Sequence, residues 1–584
     1  MRNVELARCF RNIAAYLEME DVPFKPRAYE KAAQAIEAHD QPLDEVYDRG
    51  GVKALCLIPG IGRSMAEKLG ELVTTGKCKL LEEYAERMPV DIAGLTALEG
   101  IGPKAVKILH ERLGVRTVED VAAAARAGKI RDLPHFGERS EQKILKALAF
   151  VQASGHRALL VAVEPLVNAL ARTLEHVPGV TRVAVAGSIR RRRETIGDAD
   201  VLAVARKPQA VIAAFTTLPQ VARVLGRGDT KASVKVADGL QIDLRVVPEE
   251  SFGAALLYFT GSKAHNVALR QRAMKKKLKL NEYGLFRGSR RIAGRTEEEV
   301  YEQLGLAWIP PELREDQGEI EAAARGTLPE LIEASDLRGD LQIQTDWTDG
   351  ADSLEAMARA AKAAGLEYIA ITDHTVSLAM TRGSDAAKLK RQMREIAALD
   401  RKLPGIRVLA GAEVNINKDG TLDIDDDTLA ELDVVGIAVH SHFNLPRHEM
   451  TARIIRAMRN PHADILFHPT GRILQKREPY DVDIDAVIAA AKETGTVLEL
   501  DAYPDRLDLR DDHVRRTVRA GVPLVIDSDA HSARHFVFPR LYGVDQARRG
   551  WATAADVLNT RPVDAFLASL KDGSRRRRGA RRRA

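Results

Sequence analysis

The chain has 584 residues, 45% of them hydrophobic and 29% charged, with a formal net charge of +5. A length of that order allows about three or four domains, each able to bury a core; the composition excludes a disordered chain, and so small a net charge does not by itself demand a nucleic-acid partner. Cys9, Cys56 and Cys78 have no paired metal or disulfide spacing, no run approaches the ~18 uninterrupted apolar residues of a membrane span, and M-R-N-V-E-L-A-R lacks the apolar core of a signal peptide, so a cytoplasmic protein is expected.

The first third reads as helices punctuated by glycine. Leu57-Ile58-Pro59-Gly60-Ile61-Gly62 leads into the amphipathic R-S-M-A-E-K-L-G-E-L, and Leu98-Glu99-Gly100-Ile101-Gly102 leads into P-K-A-V-K-I-L-H-E-R-L. Leu133-Pro134-His135-Phe136-Gly137 before E-R-S-E-Q-K-I-L is a degenerate third copy. An apolar residue, G-x-G and a basic helix make the helix-hairpin-helix pattern. Its glycines let backbone N–H groups approach a phosphate at a helix N-terminus, a contact that positions DNA without reading its sequence. Gly100 to Ala105 also spells G-x-G-x-x-A, but no β-branched strand precedes it and Pro103 opens the helix directly, which disfavours a dinucleotide site.

The most informative stretch follows, from Val183 to Val204. Gly187-Ser188 opens a turn, and Asp198 and Asp200 stand two apart on an apolar strand, so both carboxylates face one side. Asp243 lies in a second strand-like run, L-Q-I-D-L-R-V-V. Three hard oxygen ligands beside a phosphate-sized turn suit a two-metal nucleotidyl-transfer site, whereas D-x-D alone is usually a solvated strand end. Arg190 to Arg193, Lys275 to Lys277 and the seven arginines after Gly573 are local basic clusters, read either as phosphate-neutralising patches or as solvated faces and a solvated tail.

Beyond the linker around Pro310 to Pro329, apolar strands alternate with amphipathic helices. Metal-type ligands sit at or just past the strand ends: His374 after Y-I-A-I, Glu413 in V-L-A-G-A-E-V, His440, His468 in I-L-F-H-P, and Asp529 with His531 in V-I-D-S-D-A-H. In a barrel of parallel strands those ends converge on one face, and imidazoles mixed with carboxylates there point to metal.

The acid triad, the Gly-Ser turn and Y-F-T-G-S-K-A-H-N-V-A-L-R (Tyr258 to Arg270) resemble the palm and nucleotide-binding segment of family-X, beta-like DNA polymerases. The second half is similar to the polymerase-and-histidinol-phosphatase (PHP) domain, on L-R-G-D-L-Q-I-Q-T-D-W-T-D-G, A-I-T-D-H-T, F-H-P-T-G-R, D-A-H, R-L-D-L and A-R-R-G-W. Together they give the architecture of bacterial and archaeal family-X polymerases. The expected fold is multidomain α/β: a helical helix-hairpin-helix N-terminal region, a mixed-sheet nucleotidyltransferase palm with a thumb, and a distorted β/α barrel. The expected boundaries are 1–85 and 86–150 for two helical DNA-binding domains, 151–248 for the palm, 249–315 for the thumb, 316–335 for a linker, 336–572 for the barrel and 573–584 for the arginine-rich tail.

The resemblance implies a DNA-directed polymerase filling short gaps in repair, in base excision or end joining. Asp198, Asp200 and Asp243 would be the catalytic acids on Mg²⁺ or Mn²⁺. Arg157, Ser188, Arg191 and Gly197 would contact the triphosphate, and Tyr258, Phe259, Gly261 and Asn266 the nucleotide. Gly60, Gly62, Gly100, Gly102 and Arg270 would contact DNA. Lys263 departs from the acid of the beta-type enzyme. Lys68 matches the lysine that forms a Schiff base with an abasic sugar; a surface helix lysine explains it equally well, since that chemistry needs a depressed pKa. In the PHP domain the resemblance implies a 3′→5′ exonuclease or abasic-site nuclease on Zn²⁺ or Mn²⁺ held by Asp349, His374, Glu413, His440, His468, Asp529 and His531. Its usual H-x-H is here Gln342 and Gln344, weaker neutral ligands, and Asp501 replaces an expected asparagine. We therefore expect two metals at most and a weakened nuclease. The expected partners are gapped or nicked double-stranded DNA and deoxynucleoside triphosphates, with no membrane, for a monomer in the cytoplasm, associated with the nucleoid. The alternative is a PHP phosphoesterase that uses the polymerase half as a DNA anchor.

Overall fold

The computed structural model of the chain describes residues 3–571, apart from 38, 40, 59, 99, 155–156, 238 and 379–380. Pro59 and Glu99 of the hairpin motifs and the arginine-rich tail thus lie outside the described residues. The chain forms two compact units, Met1–Gly155 with Gln475–Arg477, and the remainder.

The first unit is built of helices from Asn3–Met19 to Glu138–Ser154. In the first helix Leu6, Phe10, Ile13 and Leu17 recur at helical spacing and are buried against one shared core. The three sequence hairpins fold into the same turn: Ile61 N–H donates to Ile58, Ile101 to Leu98 and Phe136 to Leu133. Each turn needs a left-handed residue, met by Gly60 (φ 82°), Gly100 (φ 90°) and, in the degenerate copy, His135 (φ 66°). Gly100 lies between the helices Ile92–Thr96 and Pro103–Leu113, with no strand before it, so the dinucleotide reading is excluded.

The second unit begins with a five-stranded mixed sheet, in the spatial order Val180–Val185, Asp198–Ala205, Gln241–Val246, Lys231–Val236, Val221–Arg227. The two acid-bearing strands are parallel neighbours; the other pairings are antiparallel. The helix Phe252–Thr260 packs Phe252 and Ala255 on Leu202 and Val204 of that sheet. Beyond it, the helix Lys263–Lys275, a three-stranded antiparallel sheet and the helix Glu297–Gln303 enclose a separate core. Part of the stretch expected to be a linker is folded: the helix Glu319–Arg325 adds Ile320 and Ala323 to that core, and Glu319 bonds His265 at 2.6 Å.

The C-terminal half carries seven parallel strands in sequence order, from Gly339–Asp340 to Leu524–Asp527. The ring closes through main-chain bonds, Ala530 N–H to the Gln342 carbonyl (3.0 Å) and Gln344 N–H to the Ala530 carbonyl (2.8 Å). Its floor is apolar: Tyr368, Leu409, Val434, Ile465, Val497 and Val525 pack with Phe566, Leu567 and Leu570. The opposite rim, at the strand C-terminal ends, is polar.

The run Arg190–Arg193 is neither a DNA-facing patch nor a solvated face. Arg190 makes a bidentate pair with Glu297 (2.7 and 2.8 Å). Arg191 pairs with Glu315 (3.1 Å), and Arg193 lies 3.4 Å from Asp511. Arg192 pairs with Glu164 and with Asp545. The next residue, Glu194, accepts from Arg472. The run joins palm, thumb and barrel. Lys275–Lys277, by contrast, are exposed.

Glu297 also takes a second guanidinium, the fully buried Arg314, at 2.6 and 2.9 Å. Burial opposes ionisation of Glu297, but Arg190 and Arg314 hold its carboxyl well below the usual range. Glu297→Ala strands Arg314 without its charge partner and is expected to cost about 3–5 kcal/mol, read as a lower denaturation midpoint in urea.

Candidate active sites

Three carboxylates converge in the palm as the sequence implies. Asp200 and Asp243 are direct partners across the parallel pair, and Asp198 shares the face of Asp200. Asp198 is exposed and the other two are half-buried. Gly187 (φ 65°) approaches so closely that a Cβ there would meet Asp200 Oδ2 at 2.8 Å, so the turn above the acids requires glycine on both counts. Burial, then the charges of Asp198 and Asp243, push the Asp200 carboxyl up to about 7. Arg245 and Arg191 offset part of this. Gln241, two residues before Asp243 on the same strand face, donates to both Asp243 oxygens (3.3 and 3.1 Å). Gln241 and Arg245 were missed in the sequence, although their i±2 spacing from Asp243 was there to be read.

Around the triad stand the residues assigned to the nucleotide. Arg157 donates to the Thr195 hydroxyl (2.9 Å) and carbonyl, 3.1 Å from where a Gly197 Cβ would be. Ser188 lies in the short helix Gly187–Arg190. Arg191 donates to the Thr260 carbonyl and lies against Gly261, where a Cβ would meet its guanidinium at 3.0 Å. Tyr258 and Phe259 meet edge to face at 5.1 Å, with Arg245 over the Phe259 ring. Asn266 donates to the Tyr258 carbonyl (2.7 Å), leaving its buried Oδ1 without a partner. Arg270 is exposed one turn further on.

In the N-terminal unit, Gly60, Gly62, Gly100 and Gly102 are exposed, and a Cβ on Gly60, Gly62 or Gly102 would meet nothing within 4 Å. Gly62 and Gly102 cap the helices Arg63–Thr75 and Pro103–Leu113, so phosphate oxygens have access to two helix N-termini. Lys68 donates to the Ser64 carbonyl (3.1 Å) and hydroxyl (2.9 Å) one turn earlier.

Among the described residues the ligand types on the barrel rim form two groups: Asp349, His374 and His531, and His374, Glu413 and His440, each with one atom per residue within 4.8 Å of the others. His374 belongs to both. Glu413 lies 3.0 Å from His440 Nε2, 2.8 Å from His468 Nε2 and 3.3 Å from His374 Nδ1. Burial opposes its charge, yet His374 and His440 hold its carboxyl well below the usual range. Asp529 and Asp349 overcome burial at His531 and carry it to about 10, a proton that an incoming cation must displace.

Asn415, two residues beyond Glu413, supplies what the sequence reading overlooked. Its amide nitrogen is committed to Thr375 Oγ1 and Asp423 (3.0 Å each), so its oxygen accepts from His440 Nδ1 at 2.6 Å. With Nδ1 so engaged, Nε2 is the ring nitrogen turned toward Glu413 (3.0 Å) and is the one a metal would take in exchange for the proton shared there.

These donors, with His374 Nδ1 and His468 Nδ1 buried and without a hydrogen bond, fit divalent ions. Asp529 fits less well, because the Arg506 guanidinium lies 3.5 Å from it and 3.4 Å from Asp501. Gln344 presents its amide nitrogen to Glu413 at 2.7 Å, and both side-chain atoms of Gln342 are buried without partners.

A palm acid triad joined to a rim of imidazoles and carboxylates defines a nucleotidyltransferase with a metal-binding barrel. Family models match a helix-hairpin-helix domain over residues 1–78, a SAM-like helix-hairpin-helix tandem over 92–149, the DNA polymerase beta thumb over 255–315 and the PHP domain over 340–500. The chain is 38% identical over 575 residues to the DNA polymerase/3'-5' exonuclease PolX of Bacillus subtilis, covering 97% of this chain and 99% of that protein. It is 26% identical over 345 residues to DNA polymerase lambda of Rattus norvegicus, 54% of this chain and 56% of that one. It is also 31% identical over 184 residues to a probable phosphatase of Thermoanaerobacter sp. (strain X514), 30% of this chain and 70% of that one. The chain belongs to the family-X DNA polymerases that carry a C-terminal PHP domain.

Because Asp200 holds a proton near neutrality, divalent ions and protons compete in the palm. Mg²⁺ affinity is expected to rise about tenfold per pH unit below 7 and to level off above it. Calorimetry in buffers of different ionisation enthalpy should show about one proton released per ion at pH 6 and none at pH 8.

Proposed function

We infer that the chain is a DNA-directed DNA polymerase that fills short gaps during repair, in the cytoplasm at the nucleoid. The observation that carries this is the register placing Asp200 directly beside Asp243, with Asp198 on the same face, under the Gly187–Ser188 turn. Asp198, Asp200 and Asp243 would hold Mg²⁺ or Mn²⁺, which when bound lowers the pKa of a primer 3′-hydroxyl and offsets charge on the leaving pyrophosphate. Ser188, Arg191, Gly197 and Arg157 place a triphosphate beside the acids. Tyr258, Phe259 and Asn266 line the nucleotide side, where the free Asn266 Oδ1 is an acceptor for a base or sugar edge. The hairpin turns supply sequence-independent phosphate contacts to gapped or nicked double-stranded DNA, and the exposed Arg270 would contact the template strand. The chain acts as a monomer on deoxynucleoside triphosphates. Lys68 is a second-activity candidate only as an abasic-sugar nucleophile; its hydrogen bonds to Ser64 are those of a surface lysine.

The barrel supports metal-dependent hydrolysis of phosphodiesters at primer 3′ ends, on Zn²⁺ or Mn²⁺ held by Asp349, His374, Glu413, His440, His468 and His531. Gln342 and Gln344 weaken it, because each can offer a neutral amide carbonyl where an imidazole would bind more strongly, and the cation facing Asp529 is Arg506. A phosphoesterase using the polymerase half only as an anchor is the weaker reading, because it leaves the assembled palm triad without a task.

Asp243→Ala should abolish one-nucleotide extension of a 5′-labelled primer bounding a one-nucleotide gap, by about 10³-fold or more, while gapped-DNA affinity changes less than about twofold. Normal extension by this variant would falsify the palm assignment. Without nucleotides, in Mn²⁺, the wild-type chain should shorten the primer slowly and His468→Ala not at all. The double change Gln342→His with Gln344→His should raise both the Mn²⁺ bound per chain, read by elemental analysis, and the shortening rate by about tenfold or more.

A further inference from the structure

Two rim loops of the barrel are anchored outside it. One runs from His468 to Leu474 after the strand Ile465–Leu466, the other from Asp501 to Leu509 at the end of Val497–Asp501. They are tied to each other: Thr470 donates its N–H and hydroxyl to Asp508 (2.9 and 2.8 Å), and Asp508 and Asp501 exchange main-chain bonds. Leu474 and Leu507 leave the barrel and join the palm's hydrophobic cluster with Leu160, Val163 and Ile196. Between them, Arg472 spans the seam. Its guanidinium is bidentate on the palm carboxylate Glu194 (2.8 and 3.2 Å) and also donates to the Leu507 carbonyl.

Leu507 is preceded by Arg506, the guanidinium facing Asp529 and Asp501, and followed by Asp508, which holds the loop of His468. Arg472 is nearly buried, and Gln546 of the barrel also reaches Glu194, at 3.4 Å. A buried guanidinium whose position is set by one carboxylate loses that position when the charge is removed.

We propose that Glu194, a palm residue, is a positioning residue for the barrel's hydrolytic site: by fixing Arg472 it holds the two tied loops and so keeps His468 presented to Glu413. This rests on the reading of the barrel as a metal-dependent hydrolase. Glu194 touches no reacting atom; it acts through geometry, where a displacement of about 1 Å is worth up to about 10²-fold in rate.

The test uses the full chain with Glu194→Gln, Glu194→Asp, Arg472→Gln and the Glu194→Gln/Arg472→Gln pair. Primer shortening in Mn²⁺ is measured as kcat and KM, beside amide hydrogen exchange of residues 468–474 and 501–509. Glu194→Gln is expected to lower kcat about tenfold with KM changed less than about twofold. Glu194→Asp should recover most of the loss, and the pair should be no worse than Arg472→Gln alone. Both loops should exchange faster in Glu194→Gln while the barrel strands do not. Wild-type kcat in Glu194→Gln, losses that simply add in the pair, or unchanged loop exchange would each overturn the proposal. A wild-type chain that does not hydrolyse at all removes the hydrolase reading instead, and loop exchange still decides whether Glu194 sets the rim.

Discussion

Five consecutive residues, Arg190 to Glu194, carry the ion pairs on which the mutual arrangement of palm, thumb and barrel rests. Charges removed from water must find partners of opposite sign or cost several kcal/mol each. Here every member of the run finds one on another segment: Glu297 and Glu315 beyond the palm, Asp511, Asp545 and Arg472 in the barrel. Arg549 returns the contact, donating to the Arg191 carbonyl and pairing with Glu315 and Asp511. The run is also the loop between Gly187 and Gly197. The turn over the palm acids and the seam to the barrel are therefore one stretch of backbone.

The two sites manage buried negative charge in opposite ways. In the palm, three carboxylates face one another with Arg245 and Arg191 offsetting part of the repulsion, and Asp200 takes up a proton until a cation replaces it. On the rim, Glu413 is surrounded by imidazoles and stays ionised. Cation binding in the palm thus relieves repulsion, whereas at the rim it replaces hydrogen bonds among groups already paired. The same contrast accounts for Arg506: a fixed guanidinium gives Asp529 and Asp501 a permanent counter-charge, which a diffusible ion must then compete against.

Much of this architecture was legible in the amino acids, for local reasons. The period-2 spacing of Asp198 and Asp200 put both on one face, and G-x-G before a basic helix announced two hairpins. The third hairpin was harder to see because His135 replaces the glycine, and only its left-handed φ shows it to be the same turn. The ligands after successive strands marked the rim. The basic run was misread, since a row of arginines looks alike whether it meets solvent, phosphate or carboxylates more than a hundred residues away. Asn415 was passed over because an asparagine two residues past a ligand matters only once its amide is pinned by Thr375 and Asp423.

The sequence by itself determined the elements, the hairpin turns, the facing of the palm acids and the two glutamines of the first barrel motif, because each depends on residue type and short-range periodicity. Tertiary structure alone decided the register of Asp200 against Asp243, the sharing of His374 between two ligand groups, the presence of Arg506 beside Asp529 and the pairing of Glu194 with Arg472. Those are pairings between segments separated by tens to hundreds of residues, and their energies come from burial and charge that exist only once the chain has closed on itself.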